Sequence, residues 1–196
     1  MSGDRLKWEE RYSRKSATPA APSRFLIDWA HCLRSPVLDV AGGDGRNALY
    51  LARRGLTVHV IDIAHNALVR VRQSAQSEGL PVVAIQADLE AFPLPRHYYG
   101  GVVVVRYLQR SLFDALRQTL RPGAVLIYET FLKDQQTIGH PTNPHHLLEP
   151  GELFARFCDF EVVFYEEGLL DEAPPAYLAR LVARRPLRRQ RCATEH

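Results

Sequence analysis

From Pro36 onward, short runs of β-branched and aliphatic residues alternate with segments of helical periodicity. Residues 36–41 (PVLDVA), 56–62 (LTVHVID), 81–87 (PVVAIQA), 100–106 (GGVVVVR) and 123–131 (GAVLIYETF) read as strands. Several are apolar without a break, the pattern of strands covered on both faces. Between the first two, Ala48, Leu51 and Ala52 share one helical face and Gly55 supplies the stop. Ala64, Ala67, Leu68, Val71 and Ala75 repeat the spacing before Gly79, and Leu112, Leu116 and Leu120 do so before Arg121-Pro122-Gly123. Strand, helix and strand in this order predict a parallel sheet with right-handed crossovers.

The flanks complete the pattern. Phe25, Leu26, Trp29, Cys32 and Leu33 have amphipathic helical spacing, and a shorter helix is expected around Trp8. After the fifth strand, LKDQQTIGHPTNPHHLLEPG is too long and too rich in Pro, Asn and His for a simple connection. Residues 132–148 are therefore expected to form a lid loop over the site. A helix near 150–157 and two closely spaced strands, FEVVFYEE and AYLARLVARR, end the pattern as an antiparallel pair at the sheet edge. The predicted class is α/β, doubly wound and mostly parallel. The expected organisation is a single domain over 1–185, with an N-terminal helical cap over 1–35, and a basic tail over 186–196.

Chemistry concentrates where the first strand meets the first helix, in VLDVAGGDGRNALYLARRG. Glycines there admit close backbone approach of a ligand, and the helix start aims unpaired N–H groups at an anion. Gly43, Gly45 and Ala48 also fit a dinucleotide fingerprint, with Asp62 positioned to hold a ribose. Asp39 argues otherwise, because a carboxylate inside the first strand repels a pyrophosphate and attracts an ammonium. Asp62 and Asp88 follow the second and third strands, where carboxylates can accept from ribose hydroxyls and an adenine amino group; the Leu89 N–H would meet a ring nitrogen. Three acids at three consecutive strand ends predict a site at the carboxyl edge of the sheet.

Residues from about 36 to 131 resemble the class I S-adenosylmethionine-dependent methyltransferases, and GDGRNALYLARRG is similar to the tellurite-resistance and thiopurine methyltransferase groups. The resemblance implies a Rossmann-like seven-stranded sheet with an antiparallel C-terminal hairpin strand, and S-adenosylmethionine as cofactor. It maps the methionine-binding motif onto Asp39, Ala41, Gly43 and Gly45, with Ala41 standing where a glycine is usual. It maps the ribose side onto Asp62 and Ile63, the adenine side onto Asp88 and Leu89, and a closing N-terminal segment onto Trp8, Arg11 and Tyr12. Arg106, ending the fourth strand, also borders this cofactor site.

Arg106-Tyr107-Leu108-Gln109 replaces the Asn/Asp-Pro-Pro-aromatic motif of amino-group methylation. Arg106, Tyr107, Arg110, Glu129 and His140 are the candidate catalytic residues, with Arg106 or Arg110 neutralising an anionic acceptor. Thr130, Asn143, His145 and His146 stand beside them. The expected reaction is methyl transfer to a small-molecule thiol, hydroxyl or anionic nucleophile. The competing readings are a nicotinamide-dependent oxidoreductase and a non-catalytic cofactor-binding partner subunit.

Adjacent histidines seldom converge on one ion, so no metal is expected from His140, His145 and His146. The formal net charge is +3, and basic residues gather in sequence only toward the C-terminus, so nucleic acid is not an expected partner. No stretch approaches a membrane span, and MSGDRLKWEERYSRK lacks the apolar core of a secretory signal, which predicts a cytoplasmic protein without a membrane partner. Three scattered cysteines, Cys32, Cys158 and Cys192, argue against a disulfide framework and are expected reduced.

Overall fold

The computed structural model describes residues 8–10 and 20–187. Its centre is a seven-stranded sheet in the order β3-β2-β1-β4-β5-β7-β6. The strands are β1 (Val37–Val40), β2 (Val58–Asp62), β3 (Val82–Gln86), β4 (Tyr99–Val105), β5 (Leu120–Phe131), β6 (Glu161–Leu170) and β7 (Ala176–Arg184). The first five are parallel, while β7 runs antiparallel to both β5 and β6. This is the Rossmann-like methyltransferase topology, and each predicted strand is present. The final pair is arranged with β7 inserted beside β5, so that β6 forms the edge.

The helices are α1 (Arg24–Trp29), α2 (Arg46–Arg53), α3 (His65–Glu78), α4 (Phe113–Thr119) and α5 (Glu152–Arg156). The expected helix over Phe25–Leu33 is shorter, because its last turn tightens to a 3-10 helix at Ala30–Cys32. Strand alternation sorts the core into two layers. Val37, Val60, Val103 and Ile127 pack with Phe25, Leu51 and Leu68 from α1, α2 and α3. Leu38, Val102, Leu126 and Tyr128 point the other way and pack with Phe113, Leu116 and Phe157. The alternation puts Asp39 on the α2 and α3 side of β1, with Val37.

Residues 132–148 form a loop closed at its base. Leu132 bridges Leu148, and buried Gln135 accepts from the Tyr177 N–H (2.8 Å) while donating to the His140 carbonyl (3.1 Å). Two 3-10 turns, Lys133–Thr137 and Pro144–His146, occupy the interior of the loop. Cys32 is a free thiol, but Cys158 is disulfide-bonded, which corrects the expectation of a fully reduced set. An odd, dispersed set rules out a framework of bridges without ruling out one. Among the described residues, no helix is long and apolar enough to cross a membrane.

Phe157 is fully buried between the rings of Phe113, Tyr128 and Phe160, at centroid distances of 5.8, 6.4 and 5.6 Å. Phe157→Ala should lower the unfolding free energy by about 3–5 kcal/mol, read from the urea midpoint at unchanged slope.

Candidate functional site

At the carboxyl ends of β1, β2 and β4 the chain turns sharply. Gly42 follows directly, and a Cβ there would lie 2.7 Å from Val60 Cγ1 and 2.8 Å from Asp39 Oδ2. The turn therefore fits only because this position has no side chain. Two residues without that freedom are nevertheless left-handed: Ala41 at φ 50 and Arg106 at φ 59. They end β1 and β4, the neighbouring strands where the sheet order reverses, and backbone strain of this kind gathers at functional sites. The glycine usual at position 41 would relieve the first.

Asp39 is 1% exposed, and its Oδ2 has no hydrogen-bond partner among the described residues. The Ala48 N–H at the start of α2 donates to the carboxyl group. Burial pushes its pKa up to about 7, opposed by the Arg46 guanidinium. Arg46 is the first residue of α2, donates to the Ala21 carbonyl at 3.4 Å and pairs with no described carboxylate. Its field reaches both Asp39 and Arg106. The sequence reading missed it, although an arginine directly after the glycine run at a helix start was the available signal.

The glycine bend is held by Asp62, not left open. Asp62 Oδ2 accepts from the Gly43 N–H (2.8 Å) and Oδ1 from the Ala64 N–H (2.9 Å). The Ile63 N–H also donates to this carboxyl, whose pKa burial raises. Each carboxylate oxygen keeps a lone pair for a further donor. A Cβ at Gly45 would meet Val71 Cγ2 at 2.7 Å, so its bare face, at φ 79, also admits the approach of α3. Asp88 Oδ1 accepts from the Glu90 N–H (3.0 Å) in a local turn, and Leu89 is buried beside it.

From the N-terminal segment, Glu9 accepts from the His65 and Asn66 N–H groups at 2.7 and 3.1 Å, capping α3 next to Asp62. Neighbouring Trp8 is half-buried. Arg11 and Tyr12 lie outside the described residues.

The expected acceptor side is largely occupied by its own ion pairs. Glu129 is 1% exposed and faces Arg180 across the β5–β7 rung, with Arg180 facing Glu166 of β6 in turn. Arg180 binds Glu129 at 2.7 Å, Glu166 at 3.0 Å, and Glu172. Arg106 Nε lies 3.2 Å from Glu129 and its terminal nitrogen 3.3 Å from Glu172, with the guanidinium over Phe131. Arg110 is not a free anion receptor: it grips Glu152 through two hydrogen bonds of 2.7 and 2.8 Å and donates to the Leu147 carbonyl. Tyr107 donates its hydroxyl to Gln109, and His140 is exposed in the loop. Thr130 is buried, Asn143 caps its own 3-10 turn through the His145 N–H, and His146 is exposed.

Residues 37–123 match a family model described as a methyltransferase domain. The chain is 26% identical over 172 residues to the probable S-adenosyl-L-methionine-dependent methyltransferase TehB of Haemophilus influenzae, covering 83% of this chain and 59% of that protein. The chain is thus similar in sequence to S-adenosyl-L-methionine-dependent methyltransferases. The solved TehB structure from the same organism superposes with a TM-score of 0.71 at 23% identity, over 91% of this chain and 67% of that one. A structure from work on the conversion of a disulfide bond into a thioacetal group during echinomycin biosynthesis gives 0.72 at 20% identity, over 94% and 93%. Hemagglutinin 1 of Eikenella corrodens is 28% identical over 140 residues, 67% of this chain and 46% of that protein. The chain thus spans about half the length of such curated relatives.

Asp39 makes the stability of the fold pH-dependent. With its folded pKa at about 7 and an unfolded value near 3.9, the native state holds a proton that the unfolded chain lacks between those values. Stability contributed by this group is therefore present at low pH and declines as pH rises toward 7. Asp39→Asn should stabilise the ligand-free protein above about pH 7 by a few kcal/mol and by much less near pH 4, checked by denaturation at both.

Proposed function

We propose that the chain binds S-adenosylmethionine at the carboxyl edge of β1, β2 and β3 and transfers its methyl group to a small-molecule thiol, hydroxyl or anionic nucleophile. The reading rests on one observation above the others: a buried carboxylate oxygen, Asp39 Oδ2, without a described partner. A cation brought to that oxygen stabilises it, whereas the pyrophosphate of a nicotinamide dinucleotide meets repulsion. The ammonium of the cofactor's methionine end supplies such a cation.

The neighbouring residues fit the remaining parts. Arg46 and the N–H groups opening α2 suit the methionine carboxylate. Asp62 has lone pairs for ribose hydroxyls, while Asp88 and the Leu89 N–H suit the adenine edge. When bound, the cofactor supplies a methyl group activated by a sulfonium. The chain's own work is to orient the acceptor and exclude water, with reacting atoms held roughly 3–3.5 Å apart.

On the acceptor side, Arg106 is the candidate for orienting an anionic group. Its guanidinium is fixed by Glu129 from below and by Phe131, while its contact with Glu172 is the longer and more exposed one. An acceptor anion can share Arg106 by displacing Glu172. Tyr107 and the exposed part of the 132–148 loop border the same mouth in this reading, and the protein acts in the cytoplasm.

Titration calorimetry separates the alternatives. S-adenosylhomocysteine should bind with one site per chain while NAD and NADP do not, and Asp39→Asn should weaken binding at least tenfold, the loss of about one charged hydrogen bond. Binding of NAD with indifference to adenosylhomocysteine would make the oxidoreductase reading the right one.

A further inference from the structure

The strand order sorts charge as well as apolar side chains. Asp39, Asp62, Asp88, Glu129 and Glu172 all lie at the carboxyl edge of the sheet, as described above. The opposite edge is basic. Arg34 precedes β1, Arg96 precedes β4, Arg121 opens β5, and Arg184 and Arg185 end the antiparallel β7. Register fixes them at one edge: Tyr99 pairs with Leu120, and Val125 with Arg184. Gly100 packs on the Arg34 backbone, and the Arg185 N–H donates to the Ala124 carbonyl.

Arg34, Arg96, Arg121 and Arg184 are exposed, and none pairs with a described carboxylate. Of the acids near this edge, Glu78 is engaged by Arg53 and Asp159 by Arg117, while exposed Glu161 stands opposite Arg184 in the β6–β7 register and leaves Arg34, Arg96 and Arg121 as the unopposed cations. Exposed aromatic rings stand among the arginines: His97 lies 2.9 Å from the Arg185 guanidinium, and Tyr98 is 42% exposed, packed edge-on against Tyr99.

We propose that this amino edge is a docking surface for single-stranded nucleic acid, separate from the cofactor site across the sheet. Every cation named is a guanidinium, whose planar fork matches phosphate oxygens, and the neighbouring aromatic rings offer stacking faces for bases. The named arginines sit on strand ends and short turns and not along a helix that could enter a duplex groove, so the surface favours an unpaired strand. The sequence pattern did not suggest this, because the five arginines come from four separate segments and meet only through the sheet register.

The test uses the full chain and a labelled oligouridylate of about 20 nucleotides, followed by fluorescence anisotropy. Binding should weaken about a hundredfold between roughly 50 and 200 mM salt, the response of about five phosphate contacts on a single strand. Arg96→Glu, Arg121→Glu and Arg184→Glu together should abolish binding, and Arg121→Glu alone should lower the salt slope by about 0.7 to 1.4, for loss of one contact and repulsion of its neighbour. Calorimetry with adenosylhomocysteine runs in parallel, so that a misfolded variant or a failed cofactor reading is seen separately. The proposal is overturned if the wild-type chain does not bind the oligonucleotide at low salt, or if the folded triple variant binds as well. It is also overturned if the arginine-dependent ligand proves to be phosphatidylserine vesicles and not the oligonucleotide.

Discussion

The burial of an aspartate at the end of β1 is the constraint around which this end of the molecule is arranged. A carboxylate with one uncompensated oxygen is expensive inside a protein, and the cost is met here by keeping it protonatable near pH 7. The surrounding geometry follows from that choice. Gly42 must lack a side chain because Asp39 and Val60 fill its space, Ala41 takes a left-handed turn, and Asp62 holds the bend through the Gly43 N–H. The first turn of α2 then delivers the Ala48 N–H and the Arg46 charge to the same crevice.

A second polar assembly, on the other side of the sheet's reversal point, has a different physics. The rung Glu129–Arg180–Glu166 crosses three strands, and Arg106 and Glu172 join it. Removing one member of such a buried set leaves a charge uncompensated, so the set behaves as a unit. It fixes Arg106 beside the strained end of β4 and links the β6–β7 turn to the mouth of the site. Asp39 is thus an unmatched charge within the fold and the Glu129 cluster a matched one, which is why the first is the better marker of a ligand.

Much of this architecture was legible in the sequence. Unbroken apolar runs such as GGVVVVR identify strands covered on both faces, and the acids in or just after the ends of the first three strands gather at one edge of the sheet. What escaped depends on long-range register. Arg110 read as a free cation because its partner Glu152 is 42 residues away, and Glu129 and Arg180 become neighbours only through the antiparallel placement of β7. The close contact of Gly45 with Val71 on the next helix is likewise invisible in the local motif. Arg46 was overlooked because helix-start arginines are ordinary until a buried acid is known to lie beneath them.

If an incoming ammonium satisfies Asp39, ligand binding must drive its proton off. Calorimetric titration with adenosylhomocysteine in buffers of different ionisation enthalpy measures that proton directly. The account predicts release approaching one proton per ligand at about pH 6, declining toward zero by about pH 8.5, as the carboxyl ionises on binding. Binding with no proton release across this range, or with proton uptake, would contradict it.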